Sequence, residues 1–558
     1  MEQPLSIFDG FFEWHFFTKE GISEQELLMG LLDYGLFAEK VPQCFTTKGL
    51  AEFVMETILT TLDEPDEQKL KKILGKRSHD YIRYEALRDL NVPRHLGIPH
   101  PEAYSIQALA IRKHWKEISL HCDKPDPQVS RIYVRHVGDG AIFEMGYKGS
   151  ERYENEEDEI GWITGAQFQV KADISKCFPS IYTHSIPWAL HGKGVAKKST
   201  SLTSNAGDML DKCTQNLRDR QTNGLLIGPH SSNIISEIIL TSIDEELIAK
   251  GHTKLKRHVD DYTFYAATHE QAEQFLRDLR MALRSYEMFL NDKKTEILSL
   301  PRPSSENWVR ELNCFVFPDG DEVRYSEIRR FLDLALHLSV EAGKSTPLNY
   351  AMKMIAGTGV PRKLNERAKR LYVQEAMNLA FAYPYLVPVL NSEVFDRYPF
   401  DGMDAKIGAF ATSLVKMGLD KLHPDTIAHS IFYALKYSRK LDLSDTELLL
   451  VVSIDDCVTN VLLFEYAAIH GIVTVTAAIR ARAMLLKGAD QPERDKQWLL
   501  IYQQWTQVEL ENTGQKFLGA MKAKGLSFFT LPVIAVVPAV IEDSSQSGDI
   551  DLPTAPEH

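Results

Sequence analysis

The spacing of hydrophobic positions changes along the chain. Up to about residue 90, SEQELLMGLLDYGLF and the span from Leu50 to Leu62 place apolar residues at helical spacing, which predicts a mostly helical segment. From Asn91 the texture breaks. NVPRHLGIPHPEAYS holds three prolines and a glycine, after which YSIQALAIRKHWKEISLH resumes a helical pattern with Ile106, Leu109, Ala110, Lys113 and Trp115 near one face. SRIYVRHVGD and GAIFEMGYKG alternate around Gly138-Asp139-Gly140 and predict a β-hairpin. The acidic run ERYENEEDE, Glu151 to Glu159, predicts a solvated loop. In GAQFQVKADI, Phe168, Val170 and Ala172 share one face of a strand, while Gln169, Lys171 and Asp173 share the other. Asp173 therefore ends the polar face. KLKRHV and YTFYAA read as two short strands that meet at Asp260-Asp261.

Beyond about Ser326 the strand pattern disappears. From RRFLDLALHLSVEAG to VTNVLLFEYAAIH, amphipathic segments alternate with Pro, Gly, Asn or Asp, which predicts serial helices in a solenoid or bundle without a repeat strict enough to name. The polar, acidic end IEDSSQSGDIDLPTAPEH predicts disorder.

A chain of 558 residues exceeds one ordinary core, and its 44% hydrophobic and 25% charged content is that of a soluble globular protein. No apolar run is long enough to cross a bilayer, and the N-terminus lacks the features of a signal peptide, so a cytoplasmic location is expected. Six scattered cysteines without a CxxC pair imply reduced, mostly buried thiols. A net charge of -14 argues against coating nucleic acid non-specifically and leaves room for a local basic groove.

The chemistry concentrates at Asp260-Asp261. Two neighbouring carboxylates raise each other's cost of ionisation, so either a metal ion uses both or the pair is a solvated turn. In a straight strand they point to opposite faces, and both reach one site only where the chain turns. Paired magnesium ions, about 3.5–4 Å apart, need carboxylates from more than one element, which makes Asp173 the natural third ligand and nucleotidyl transfer the reaction class. The chain carries its own control. VVSIDD, Val451 to Asp456, also ends an apolar run in Asp-Asp, but among helical segments, where it reads as a helix end or N-cap.

Four segments in order resemble the reverse transcriptase palm: VKADISKCF its motif A, NGLLIGPHSSNIISEIIL motif B, HVDD motif C and FLNDKKTEIL motif D. The resemblance implies Asp173, Asp260, Asp261 and the Ile174 backbone carbonyl as metal ligands, and Phe178 as a steric gate that favours dNTPs. It implies Gly228 and Ser231 or Ser232 beside the substrate, and Lys294 at the pyrophosphate leaving group. Leu290, Asn291, Lys294 and Thr295 fit the LNxxKT pattern. Two positions depart from it: Ile227 stands where relatives have Gln, and His258 replaces an aromatic and reads as a packing residue. Arg131 and Arg135, alternating on the hairpin, either clamp the triphosphate or pair with the acidic run.

Within that class, IGPHSSN, the long helical C-terminal half and IPHPEAY resemble the bacterial Abi-type, defence-associated reverse transcriptases. That resemblance implies an α+β fold with palm and fingers but no ordinary thumb, followed by an all-α helical-repeat (HEAT-like) domain. The divisions expected are 1–90 (helical part of the fingers), 91–325 (fingers and palm), 326–535 (helical repeat) and 536–558 (acidic tail). It further implies an antiphage polymerase that uses two Mg2+ ions, or Mn2+, and dNTPs without a template. Synthesis would start from a tyrosine hydroxyl, leaving DNA covalently attached, in a homo-oligomer, trimer or hexamer, that answers to a phage or host factor. With 21 tyrosines the primer is not identified. The rival readings are an RNA-templated enzyme of the retron or intron kind and a catalytically silent scaffold acting through the helical half.

Overall fold

The computed structural model describes residues 22–531, apart from 90–91, 126, 138–140, 146–159, 199–200, 304, 318–321 and 358–360. The acidic run, the turn at 138–140 and the acidic tail thus lie outside the described residues.

The described N-terminal part is mostly helical up to Gly75, as read, but the last stretch of residues 1–90 is a strand. Helices Glu24–Tyr34, Leu50–Thr57 and Glu67–Gly75 give way to strand β1 (Tyr81–Asp89), which pairs with β2 (Val92–Pro99) as an antiparallel hairpin. The reason is visible in YIRYEALRD: Ile82, Tyr84 and Ala86 are buried, while Arg83 and Glu85 between them are exposed, a period of two. The helix Pro101–Lys113 follows, with His100 as its N-cap and Pro101 in its first turn. Strands β3 (Ile132–Val137) and β4 (Ala141–Met145) form a second hairpin, the one expected from the sequence.

The strands that carry the candidate chemistry are β5 (Phe168–Asp173), β6 (Leu255–His258), β7 (Asp261–Ala266) and β8 (Glu296–Ser299), hydrogen-bonded in the order β6-β7-β5-β8. All three pairings in this sheet are antiparallel. Val170 and Ala172 are buried and Lys171 is exposed, as the alternation predicts. Helix His269–Ser285 packs against the sheet through Phe275, stacked on Phe264 with ring centroids 4.5 Å apart.

After β8 the described residues form helices from Asn307–Cys314 to Lys516–Ala523 and no further strand. This half shares one hydrophobic core with the N-terminal part, continuous from Ile22 to Phe528. Trp498 is fully buried against Phe37 and Phe528, and Phe45 forms a β-bridge with Phe529. The helical half also holds β1 from behind. Asp425 accepts hydrogen bonds from Tyr84 Oη at 2.5 Å and from the Leu87 amide at 3.1 Å. Just before β1, His79 lies between Asp495 and Glu102, each at 3.1 Å. Burial disfavours its charge, but the two carboxylates prevail and push its pKa up to about 9. No described helix is long and apolar enough to cross a membrane. All six cysteines are free, five buried and Cys314 exposed.

Candidate active site

Three backbone features bring the aspartates together. β5 and β7 run antiparallel in a register that sets Asp173 directly opposite Asp261. Between β6 and β7 the chain turns at Val259, whose φ of +57° is left-handed. The carbonyl of the next residue, Asp260, then accepts a hydrogen bond from the Ile174 amide at 3.2 Å. The turn that the sequence required for both carboxylates is therefore present, and it abuts the end of β5.

The electrostatics of the three groups follow from this crowding. Burial raises the pKa of Asp260, and the charge of Asp173 adds to it, with Lys294 and Arg94 acting in the opposite sense. Asp261, partly exposed, is pushed up to about 6 by its partial burial together with the charges of Asp260 and Asp173. Asp173 is held by two donors from the segment before β8: Lys294 Nζ at 2.7 Å and Asn291 Nδ2 at 2.8 Å. The Asn291 amide also donates to the Asp173 carbonyl at 2.8 Å, which fixes that segment against the end of β5. Lys294 is 56% exposed on its side chain and thus reaches the carboxylate from the solvent side.

Asp173, Ile174, Phe178, Asp260, Asn291 and Lys294 line one open cavity of about 560 Å³. Lys176, left-handed at φ +47°, turns the chain from β5 into the helix Cys177–Ser180 and carries Phe178 to the cavity wall. The β1–β2 hairpin lines the same cavity with Arg83, Arg88, Arg94 and His95, and Lys176 and Arg218 add further cations. Carboxylates and guanidinium groups in one cavity suit a ligand whose anionic groups are bridged to the carboxylates by cations and bound by the arginines.

Other expected residues stand elsewhere. Arg131 is buried, donating to the carbonyls of Gln128 and Ser130 at 2.9 and 3.3 Å, and Arg135 lies with its guanidinium 5.2 Å from the Tyr133 ring. Neither lines the cavity. The hairpin that supplies the cationic wall is β1–β2, not β3–β4. Ser231 and Ser232 are buried in the first turn of helix His230–Ala249, away from the cavity. Gly228, at φ +129°, makes its close approach to the protein itself, since a Cβ there would stand 2.9 Å from the Ala38 side chain. Ile227 does line the cavity, and its carbonyl accepts from the Gly97 amide at 3.0 Å, tying this loop to β2. His258 is half-buried opposite Asp261, and burial lowers its pKa, as a packed neutral imidazole requires. The cationic wall is what the sequence reading missed, although the alternation in YIRYEALRD contained the signal.

The donor set fits a hard divalent cation. Three carboxylates from two strand ends offer oxygen ligands, and burial with their mutual charge raises the pKa of Asp260 and Asp261. Asp173, Asp260, Asp261 and the Ile174 carbonyl would hold Mg2+ or Mn2+, which supplies charge neutralisation at phosphoryl oxygens. Among the described residues, the His and carboxylate groups with ligand atoms all within 4.8 Å are instead His79, His100 and Asp495. That cluster is a poor metal site, because its two rings stack face to face at 3.7 Å and both His79 nitrogens are engaged by carboxylates.

Residues 141–335 match the family model described as reverse transcriptase (RNA-dependent DNA polymerase). No curated protein sequence matches the chain. Among solved structures, apo telomerase from Candida tropicalis truncated from its C-terminal domain is 12% identical, with 45% of this chain and 56% of that chain covered and a TM-score of 0.27. Telomerase from Candida tropicalis with a fragment of telomeric RNA is 11% identical, covering 71% of this chain and 68% of that one at a TM-score of 0.29. The apo form of that telomerase is 9% identical, covering 80% and 73% at a TM-score of 0.30. The matched segment contains Asp173, Phe178, Asp260, Asp261 and Lys294, all but the exposed Asp261 on the wall of one cavity. Residues 141–335 carry a reverse transcriptase domain, a nucleotidyl-transferring polymerase domain.

Proposed function

We propose that the chain polymerises dNTPs at the cavity between the Asp173–Asp260–Asp261 cluster and the β1–β2 hairpin. The observation that supports this most is the shared cavity itself, lined by Asp173, Asp260, Phe178 and Lys294 together with Arg83, Arg88 and Arg94. In this reading the carboxylates hold the metal ions, Phe178 closes the space beside the sugar 2′ position, and the hairpin arginines bind the triphosphate. Lys294 leaves Asp173 to meet the departing pyrophosphate.

The resemblance of IGPHSSN, IPHPEAY and the helical C-terminal half supports the finer reading: an untemplated antiphage polymerase, primed from one of its own tyrosines and assembled as a trimer or hexamer. The helical half, HEAT-like in this reading, would receive the phage or host signal. The description of the matching family as RNA-dependent supports a second reading, RNA-templated synthesis.

One experiment separates them. Purified protein is incubated with labelled dNTPs and magnesium without template or primer, then run on a denaturing gel before and after protease. Label that migrates with the protein, is released by protease and is absent in Asp260→Ala supports protein-primed, untemplated synthesis. Incorporation only after adding template RNA and primer supports the second reading. No incorporation in either condition counts against polymerisation by this chain alone.

A further inference from the structure

Behind the catalytic turn lies a fully buried charge cluster with no contact to the cavity. Arg257, in β6, is 0% exposed, and its partners Glu237 and Asp244 are 1% and 0% exposed on helix His230–Ala249. All five N–H groups of the guanidinium are used. Nε donates to Asp244 at 2.9 Å, Nη2 to Asp244 and Glu237 at 2.7 Å each, and Nη1 to Glu237 at 3.0 Å. The remaining N–H of Nη1 donates to the backbone carbonyl of Val259 at 3.0 Å. Tyr262, just beyond the turn, donates its hydroxyl to Asp244 at 2.9 Å.

Buried ion clusters are a weak source of net stability, so the contribution to look for is geometric. Val259 supplies it. A β-branched residue in the left-handed region is strained and persists only where its surroundings over-determine it. The guanidinium grips the carbonyl of that same residue, and Asp260 follows it directly.

We infer that Arg257 is a positioning residue: anchored by Glu237 and Asp244, it holds the Val259 peptide in its left-handed state and so aims Asp260 at the site shared with Asp173. Both anchors belong to the helix that begins just after the cavity-lining Ile227, so the clamp also ties the catalytic turn to that wall. The activity arm of the test rests on the polymerase reading; the metal-binding arm rests only on the carboxylate site.

The test is Arg257→Lys in the full chain, which keeps the charge but loses the planar fork. Free Mn2+ is followed by electron paramagnetic resonance as protein is added, and Asp260→Asn defines the binding that belongs to the site. The clamp predicts Mn2+ affinity and kcat for incorporation each lower by about 10- to 100-fold, with KM for dNTP changed by less than about threefold. Val259→Gly in the Arg257→Lys background restores most of the loss, because glycine adopts positive φ without the Cβ penalty. A merely structural arginine would lower Tm and leave Mn2+ affinity unchanged, and the glycine would not rescue.

If Arg257→Lys does not fold, Glu237→Gln takes its place, keeping shape and one acceptor, with an expected loss of about threefold to tenfold in Mn2+ affinity. A folded variant of either kind that binds Mn2+ like the wild type overturns the inference. Wild-type protein that binds Mn2+ through Asp260 but incorporates nothing overturns the polymerase reading alone. Wild-type protein with no Asp260-dependent Mn2+ binding overturns both.

Discussion

Asp260-Asp261 and Asp455-Asp456 are the same dipeptide, each directly after a β-branched apolar residue, and the fold uses them in opposite ways. The first pair closes the β6–β7 turn, opposite Asp173 on β5. The second lies between two helices. Asp456 is the N-cap of helix Cys457–Ile469, its Oδ1 accepting the Thr459 amide at 2.7 Å, and Asp455 pairs with Arg482. Both pairs contain a carboxyl group pushed up to about 6, Asp261 in one and Asp456 in the other. The value does not distinguish them; its cause does. Burial leads in each, but at Asp261 the charges of Asp260 and Asp173 add next, whereas at Asp456 the hydrogen bonds of Thr459 come next and oppose the burial, ahead of the charges of Asp425 and Asp455. A perturbed carboxyl alone does not mark a reactive site; at Asp261 the neighbouring charges rank directly after burial, and a cation would relieve them.

The largest effect that tests this contrast is on catalysis. Asp260→Asn or Asp173→Asn is expected to cut dNTP incorporation by about 100-fold to 1000-fold, the scale of losing a preorganised charge at a reaction centre. Asp455→Asn and Asp456→Asn are expected to stay within about twofold of wild type, in line with substitutions that keep shape and hydrogen bonding. Equal losses at both pairs, measured as label incorporated per minute, would break the comparison. Next comes Phe178→Ala, which opens the cavity wall beside Asp173. Discrimination of dNTP over NTP, read as the ratio of kcat/KM values, is expected to fall by about 10- to 100-fold. An unchanged ratio would return Phe178 to a packing role.

The contrast also has a pH signature. Asp261 titrates in the fold near 6, above the ordinary Asp value of about 3.9, so the fold favours its protonated form and stability falls as pH rises through that window. Asp456 has the same sign, so the metal-free protein loses stability from both groups. Added Mg2+ relieves only the first, and only where it is ionised. At tenfold saturation Mg2+ is expected to raise Tm by about 1–2 °C at pH 7.5 and by nothing measurable at pH 5. The increment should vanish in Asp261→Asn and survive in Asp456→Asn. An increment at pH 5 equal to that at pH 7.5 would show that the cation binds elsewhere.

Much of the site was legible because strands repeat every two residues. Val170, Lys171 and Ala172 alternate as read, the Asp-Asp turn lies between two short strands, and VVSIDD is the helix cap that its surroundings suggested. The cationic wall was not legible. The prolines and glycine of NVPRHLGIPH masked a strand that carries Arg94 and His95, and YIRYEALRD was absorbed into the helical texture before it. The glycine there marks a close approach, since a Cβ on Gly97 would stand 2.8 Å from Leu226. Arg257 was the hardest to see. KLKRH reads only as part of a short strand, and only the packing of β6 on helix His230–Ala249 shows where the charge goes. A signal existed on the other side: Glu237 and Asp244, about two turns apart on one face of a helix that is otherwise largely apolar, needed a buried partner.

The smallest expected effect is at the control pair, and it is diagnostic because it is confined to stability. Asp456→Ala leaves the Thr459 amide, one of the unpaired donors of the first helical turn, without its acceptor. The expected cost is about 1 kcal/mol, read from chemical denaturation, with incorporation per folded molecule unchanged. Asp456→Asn should cost a few tenths at most, since the amide oxygen caps as well as a carboxylate, and at pH 7.5 it also removes a charge that burial disfavours. At Asp260 the order reverses: the asparagine variant there keeps the turn and the fold but gives up the charge on which Mn2+ binding depends. One substitution, Asp→Asn, is therefore silent where the carboxylate works as a hydrogen-bond acceptor and severe where it works as an anion.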